Sequence, residues 1–158
     1  MGESALALRY EDLRLAHMPR GAILWPAATD KCNKEWLVPM SGDVRDAIDR
    51  VLQERPGIGG AYLFPSVNNV SKPLAVEVAS AWLLEAERIG GVEKHDGTLW
   101  HAYRRKWATE RKHLPDVDVA AAGGWSDTMT LKQVYQQADM AGMQAVVDEP
   151  ARLRGASG

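Results

Sequence analysis

His101 and Arg104 stand three residues apart in WHAYRRKWATERKH. On a helix that spacing puts both side chains on one face. An imidazole moves protons near neutral pH, and a guanidinium offers a rigid fork to two phosphate oxygens. Together they suit phosphoryl transfer. Tyr135 follows Trp125 by ten positions. A phenol ionises only near pH 10 and needs cations beside it to serve as a nucleophile. An indole N–H is a pure donor that can hold a phosphate oxygen. Lys31, with Lys34 close by, sits in a polar stretch where an ammonium could hand a proton to a leaving oxygen or touch nucleic acid. Each of these residues also has a plainer reading: H-x-x-R as a solvated basic helix face, the aromatics as core, the lysines as solvated turn residues.

These groups need elements to carry them. Residues 3–9 read as the end of a helix, with Ala5, Leu6 and Leu8 apolar. Gly21–Pro26 and Trp36–Met40 read as short strands joined by a hairpin turn, TDKCNKE, that carries Lys31 and Lys34. Ser41 should cap a helix running to about Glu54, with Val44, Ala47, Ile48, Val51 and Leu52 at helical spacing. Pro56-Gly57 and Gly59-Gly60 end it. Tyr62–Phe64 reads as a short buried extended piece. Pro73 is expected to open a helix lasting to about Ile89, stopped by Gly90-Gly91. Further helices are predicted over about Leu99–Lys112, Val117–Ala122 and Met140–Val147. Ser126 or Asp127 should cap a helix carrying Lys132 to Tyr135. The sum is an α+β chain, mainly α, with a small antiparallel sheet.

With 158 residues, the chain suits one domain with a real core. No stretch approaches the roughly 20 apolar residues of a membrane span, and no export signal stands at the start. Cys32 is the single cysteine, so no intrachain disulfide forms and a cytoplasmic location is expected. The four histidines and one cysteine show no metal-ligand spacing, and neither a metal nor a cofactor is expected. Net charge is −2 and the pI about 6.1, which counts mildly against nucleic acid. Distribution matters more than the sum. Between His101 and His113 lie Arg104, Arg105, Lys106, Arg111 and Lys112 against a single acid, Glu110.

The order of the pieces carries more than any one of them. DKCNKEWLVPMS resembles the lysine hairpin of the tyrosine recombinase (phage integrase) family, with Lys31 in the catalytic register. YLFPS and SKPL resemble the loop before that family's next helix. WHAYRRKWAT resembles its His-x-x-Arg box, where a small residue and threonine usually follow. DVAAAGGWSDTMTLKQVYQQAD resembles its C-terminal box, Gly-(His or Trp) with tyrosine nine or ten residues later. GESALALRYEDL resembles the segment trailing its first catalytic arginine. The resemblance covers about residues 1–147, with 148–158 a polar tail.

That resemblance implies a tyrosine-recombinase-like catalytic domain. Tyr135 would attack a scissile phosphate, forming a 3′-phosphotyrosine link. Arg104 would clamp non-bridging oxygens, Trp125 would donate a hydrogen bond, Lys31 would be the general acid, and His101 would assist proton transfer. Arg105, Lys106, Lys34 and Arg111 would contact DNA. The implied partner is double-stranded DNA, with four protomers assembled on it through the segment after about Met140; no membrane and no small-molecule substrate is expected. The family pattern places its first arginine directly before Met1, and Arg9, about two helical turns on, is no substitute. The N-terminal DNA-clamping domain of most members is also outside the sequence. The chain as given is therefore expected to be a poor recombinase. Three other readings stay open: a non-catalytic DNA-binding remnant, a type IB topoisomerase-like activity, and a soluble helical domain with chance motif matches.

Overall fold

A computed structural model describes residues 2–29, 33–92 and 99–148. The chain falls into two compact units, Met1–Trp100 and His101–Gly158. It is an α+β fold, mainly helical, with one small antiparallel sheet.

The first unit holds α1 (Gly2–Leu6), β1 (Leu13–Arg14), β2 (Ala22–Trp25), β3 (Trp36–Pro39), α2 (Gly42–Glu54) and α3 (Val76–Gly90). The strands lie in the order β1-β2-β3. Ala22 pairs with Pro39 and Trp25 with Trp36, the hairpin expected from sequence. Side chains of β3 alternate between half-buried and exposed, as a two-residue period requires. The third strand, β1, was not foreseen. Two residues are too few to show alternation, and only the pairing of Leu13 with Ile23 defines it.

Ser41 caps α2 as expected, its Oγ accepting from the Val44 N–H at 3.3 Å, and Ile48 is buried from that helix. Helix α1 stops at Leu6, short of the expected residue 9. Leu8 is instead buried in extended chain, its carbonyl accepting from Leu63 N–H at 2.8 Å. Arg9 bridges Tyr62 in the same run. Pro73 does not open α3, which begins at Val76. Pro73 bridges Pro65, and the N–H of buried Leu74 donates to Phe64 O at 2.8 Å, so these residues are held extended. The helix ends where expected, with Gly91 in the left-handed region at φ 62°.

The second unit is carried by α4 (Leu99–Glu110), α5 (Asp116–Gly123), α6 (Thr128–Thr130), a wide π turn at Leu131–Tyr135, and α7 (Met140–Asp148). Ala108, Val119, Ala120, Trp125 and Leu131 form its core, with Trp107 and Tyr135 packed against them. Burying a side chain such as Leu131 contributes about 1.5–3 kcal/mol. No described helix is long and apolar enough to cross a membrane.

Candidate active site

Helix α4 supplies two of the expected site groups. Arg104 lies four residues before fully buried Ala108, so the same face that anchors the helix carries the guanidinium. His101, one turn earlier, is exposed.

Trp125 reaches the site through a reversal at the end of α5. Gly124 takes φ 67°, a left-handed conformation that costs glycine little, and caps the helix. Trp125 N–H then returns to Ala120 O at 2.9 Å. Gly123 meets a different demand. A Cβ placed there would fall within the six-membered ring of Trp125, far inside contact distance. The indole can lie back over α5 only because residue 123 has no side chain.

Asp127 starts the next segment, as foreseen, its Oδ1 accepting from Thr130 N–H at 2.7 Å. That hydrogen bond lowers the Asp127 carboxyl below the ordinary aspartate range, with the Thr130 hydroxyl adding to it. The expected helix through Tyr135 does not continue as an α-helix. It widens at Leu131, and Gln136 N–H closes on Leu131 O, five residues back, at 2.9 Å. Leu131 is fully buried and pins the turn to the core. Lys132 pairs with Asp116 at 2.5 Å.

These elements bring four expected residues together. The Tyr135 ring lies 4.9 Å from that of Trp125, tilted 59°. It stacks at 6.3 Å and 25° on the His101 imidazole. The Arg104 guanidinium covers the Trp125 ring at 3.9 Å and lies 5.1 Å from the Tyr135 centroid. Burial lowers the guanidinium below its ordinary proton affinity, while charge interaction and a hydrogen bond with the Tyr135 side chain act the other way. Trp125 is only 7% exposed, and its Nε1 is buried without a hydrogen-bond partner among the described residues. A donor left so costs about 1–3 kcal/mol. Cation, phenol, imidazole and a buried indole thus cluster within the second unit. That set can take an anionic oxygen.

One residue outside the expected set, and one expected only as a DNA contact, support it. Trp107 packs on Trp125 at 6.0 Å. Arg111, expected as a DNA contact, lies over Trp107 at 4.5 Å and donates to its carbonyl at 3.0 Å. The spacing Trp107–Arg111 is a helical one, but nothing in it announced the indole that Trp107 meets. Lys106 is exposed and 3.8 Å from Glu110, and Arg105 is half-buried. Lys34 lies in the first unit, just before β3, and Lys31 falls outside the described residues. Among the described residues no cluster of His, Cys, Asp or Glu could hold a metal. In the first unit, Arg9, Arg14, Glu11, Glu35 and Tyr62 line a cavity of about 530 Å³ whose charges are of both signs.

No protein-family model and no curated relative matches the chain. Among solved structures, the chain is similar to XerA recombinase, with TM-score 0.74 and 18% identity over 96% of this chain and 54% of that one. It is also similar to the Tn1549 transposon integrase in complex with circular intermediate DNA, with TM-score 0.57 and 18% identity over 92% of this chain and 52% of that one. The chain spans about half the length of each. The fold is tyrosine-recombinase-like.

Proposed function

We propose that the chain carries the strand-cleaving and rejoining chemistry of a site-specific DNA recombinase. The observation that carries this reading is the orphaned Trp125 Nε1, on a ring that Arg104 covers and Tyr135 touches. A phosphodiester supplies the acceptor that the indole lacks and the anion that the guanidinium matches. In the proposed reaction Tyr135 Oη attacks phosphorus, the P–O5′ bond breaks, and a 3′-phosphotyrosine forms. Arg104 and Trp125 stabilise the charge that builds on the non-bridging oxygens. His101 assists removal of the phenol proton, and Lys31 protonates the departing 5′ oxygen. Because the phosphoester energy is kept, a second 5′-hydroxyl reverses the step on a new partner strand.

Duplex DNA is the proposed substrate, with Arg105, Lys106, Lys34 and Arg111 as backbone contacts. Binding then weakens steeply with salt. Four protomers on two duplexes are proposed to assemble through α7, whose Met140, Met143, Val146 and Val147 are exposed. The test is covalent capture. The chain is incubated with a library of randomised duplexes bearing one nick, which traps cleavage by release of a short strand, and protein-linked DNA is recovered and sequenced. Enrichment of one sequence, lost in Tyr135→Phe, supports the reading. Recovery is expected to be low, as for a poor recombinase; recovery no greater than that from Tyr135→Phe refutes the reading.

A further inference from the structure

Thr109 sits five residues beyond Arg104 on α4, about 7.5 Å further along its axis. Its hydroxyl touches two backbone groups that bracket Gln136, the first being the nucleophile's own carbonyl. Oγ1 donates to Tyr135 O at 3.3 Å and accepts from Gln137 N–H at 3.1 Å. A hydroxyl has one hydrogen to give and lone pairs to accept with, so a single side chain meets both demands. Behind it, Lys112 pairs with Asp139, and Asp139 Oδ1 takes the Gly142 N–H at 2.7 Å. Ahead of it, buried Leu131 fixes the start of the wide turn.

We propose that Thr109 is the positioning residue for Tyr135. The segment after Gln136 leaves the helix, with Gln136 itself extended at φ −81°, ψ 131°. The Gln136 N–H bond to Leu131 O closes the turn that holds Tyr135; what remains to be set is how far its exit advances toward Arg104 and Trp125. The Thr109 hydroxyl sets it, and it does so from the helix that carries His101 and Arg104. One rigid element therefore holds both the phosphate-binding groups and the nucleophile's main chain in register. Valine has the same shape without the hydroxyl. Thr109→Val leaves Tyr135 O and Gln137 N–H without this partner while the packing stays filled.

The inference rests on the proposed chemistry for its meaning, yet its test has an arm that needs no DNA. The chain has four tyrosines. Labelled with 3-fluorotyrosine, it gives one fluorine resonance for each, and Tyr135→Phe assigns the relevant line. Thr109→Val should shift or broaden the Tyr135 line and leave the other three in place. Thr109→Ser should restore it, and Thr109→Ala should behave as valine does should the valine variant fold poorly. On duplexes captured as above, Thr109→Val should slow adduct formation about 10²-fold and Thr109→Ser by no more than about threefold, the loss expected when a reacting group is misplaced by about 1 Å. Replacing the 5′-bridging oxygen by sulfur makes a leaving group that needs no proton. It should rescue Lys31→Ala and fail to rescue Thr109→Val, whose defect lies in the attacking group. An unmoved Tyr135 line in Thr109→Val, or a serine variant as defective as valine, overturns the proposal. Absence of any adduct from the unaltered chain refutes the DNA chemistry, and the fluorine lines still decide the role of Thr109.

Discussion

Arg9 and Arg104 each place a guanidinium near a tyrosine ring, at 4.3 and 5.1 Å from the centroid. Their surroundings differ in how polar groups are satisfied. Arg9 donates to the Gly60 carbonyl and to the Tyr62 hydroxyl, and its own N–H is taken by Asp12 Oδ2 at 2.8 Å. The Arg9 N–H and both its terminal guanidinium nitrogens have intramolecular partners, and the arginine ties loop to loop. Arg45, also in the first unit, is used the same way, donating to Leu15 O at 3.0 Å and Arg20 O at 3.1 Å and pairing with Asp49. Around Arg104 the guanidinium lies on two aromatic faces, and the ring below it carries a buried N–H with no acceptor. A cation over an aromatic ring is therefore no mark of function by itself. The proposed role of Arg104 rests instead on the unsatisfied indole N–H in the ring it covers.

The largest expected effect that separates the two arginines is on cleavage. Arg104→Ala should slow adduct formation roughly 10²–10³-fold, measured as protein-linked DNA over time. Arg9→Ala should leave that rate within error and lower unfolding stability in denaturant by about 1–2 kcal/mol. If both variants lose cleavage equally, the distinction fails. Next comes Gly123→Ala, which should destabilise the chain by about 1–3 kcal/mol through overpacking against Trp125. Most of that penalty should vanish in Trp125→His, whose smaller ring leaves room, and a double-mutant cycle measures the coupling. Additive penalties would remove Gly123 from the account.

Trp125→Phe keeps an aromatic ring and removes the orphaned donor. Adduct formation should fall about tenfold or more. Stability should move by less than about 1 kcal/mol, because lost ring volume is countered by removal of an unsatisfied N–H. A purely structural Trp125 would give the reverse pattern. The smallest effect is at acid pH. Asp127 and Asp139 are both held below the ordinary aspartate range, chiefly by hydrogen bonds from Thr130 and Lys112. A depressed folded value means stability that is complete above the unfolded pKa and lost as pH falls through the folded one. Both carboxylates are exposed, so the change is modest. Asp127→Asn should lower stability modestly near neutrality and flatten the profile below about pH 4, where the aspartate's contribution is lost anyway.

Much of the site was legible because its signals are local. Three-residue spacing put His101 and Arg104 on one helical face, and Asp127 announced the start of the Tyr135 segment through its capping chemistry. The hairpin was legible from two apolar runs flanking a polar turn. What escaped notice depends on partners distant in sequence. Nothing adjacent to Thr109 says that it will meet Tyr135 O and Gln137 N, 26 and 28 residues away. Gly123-Gly124 reads as a helix stop, which accounts for Gly124; the reason for Gly123 exists only once the indole has folded back. The widened turn at Leu131 has no local signature. Pro73 misled because proline suits a first helical turn as well as an edge bridge, and the hydrogen bond from Leu74 to Phe64 decided between them.

The most direct measurement is to digest the captured protein–DNA adduct and locate the nucleotide remnant on the peptide by mass spectrometry. A 3′-linked nucleotide on Tyr135 is the expected result. A remnant on Tyr10, Tyr62, Tyr103 or any serine, or adducts undiminished in Tyr135→Phe, would contradict it.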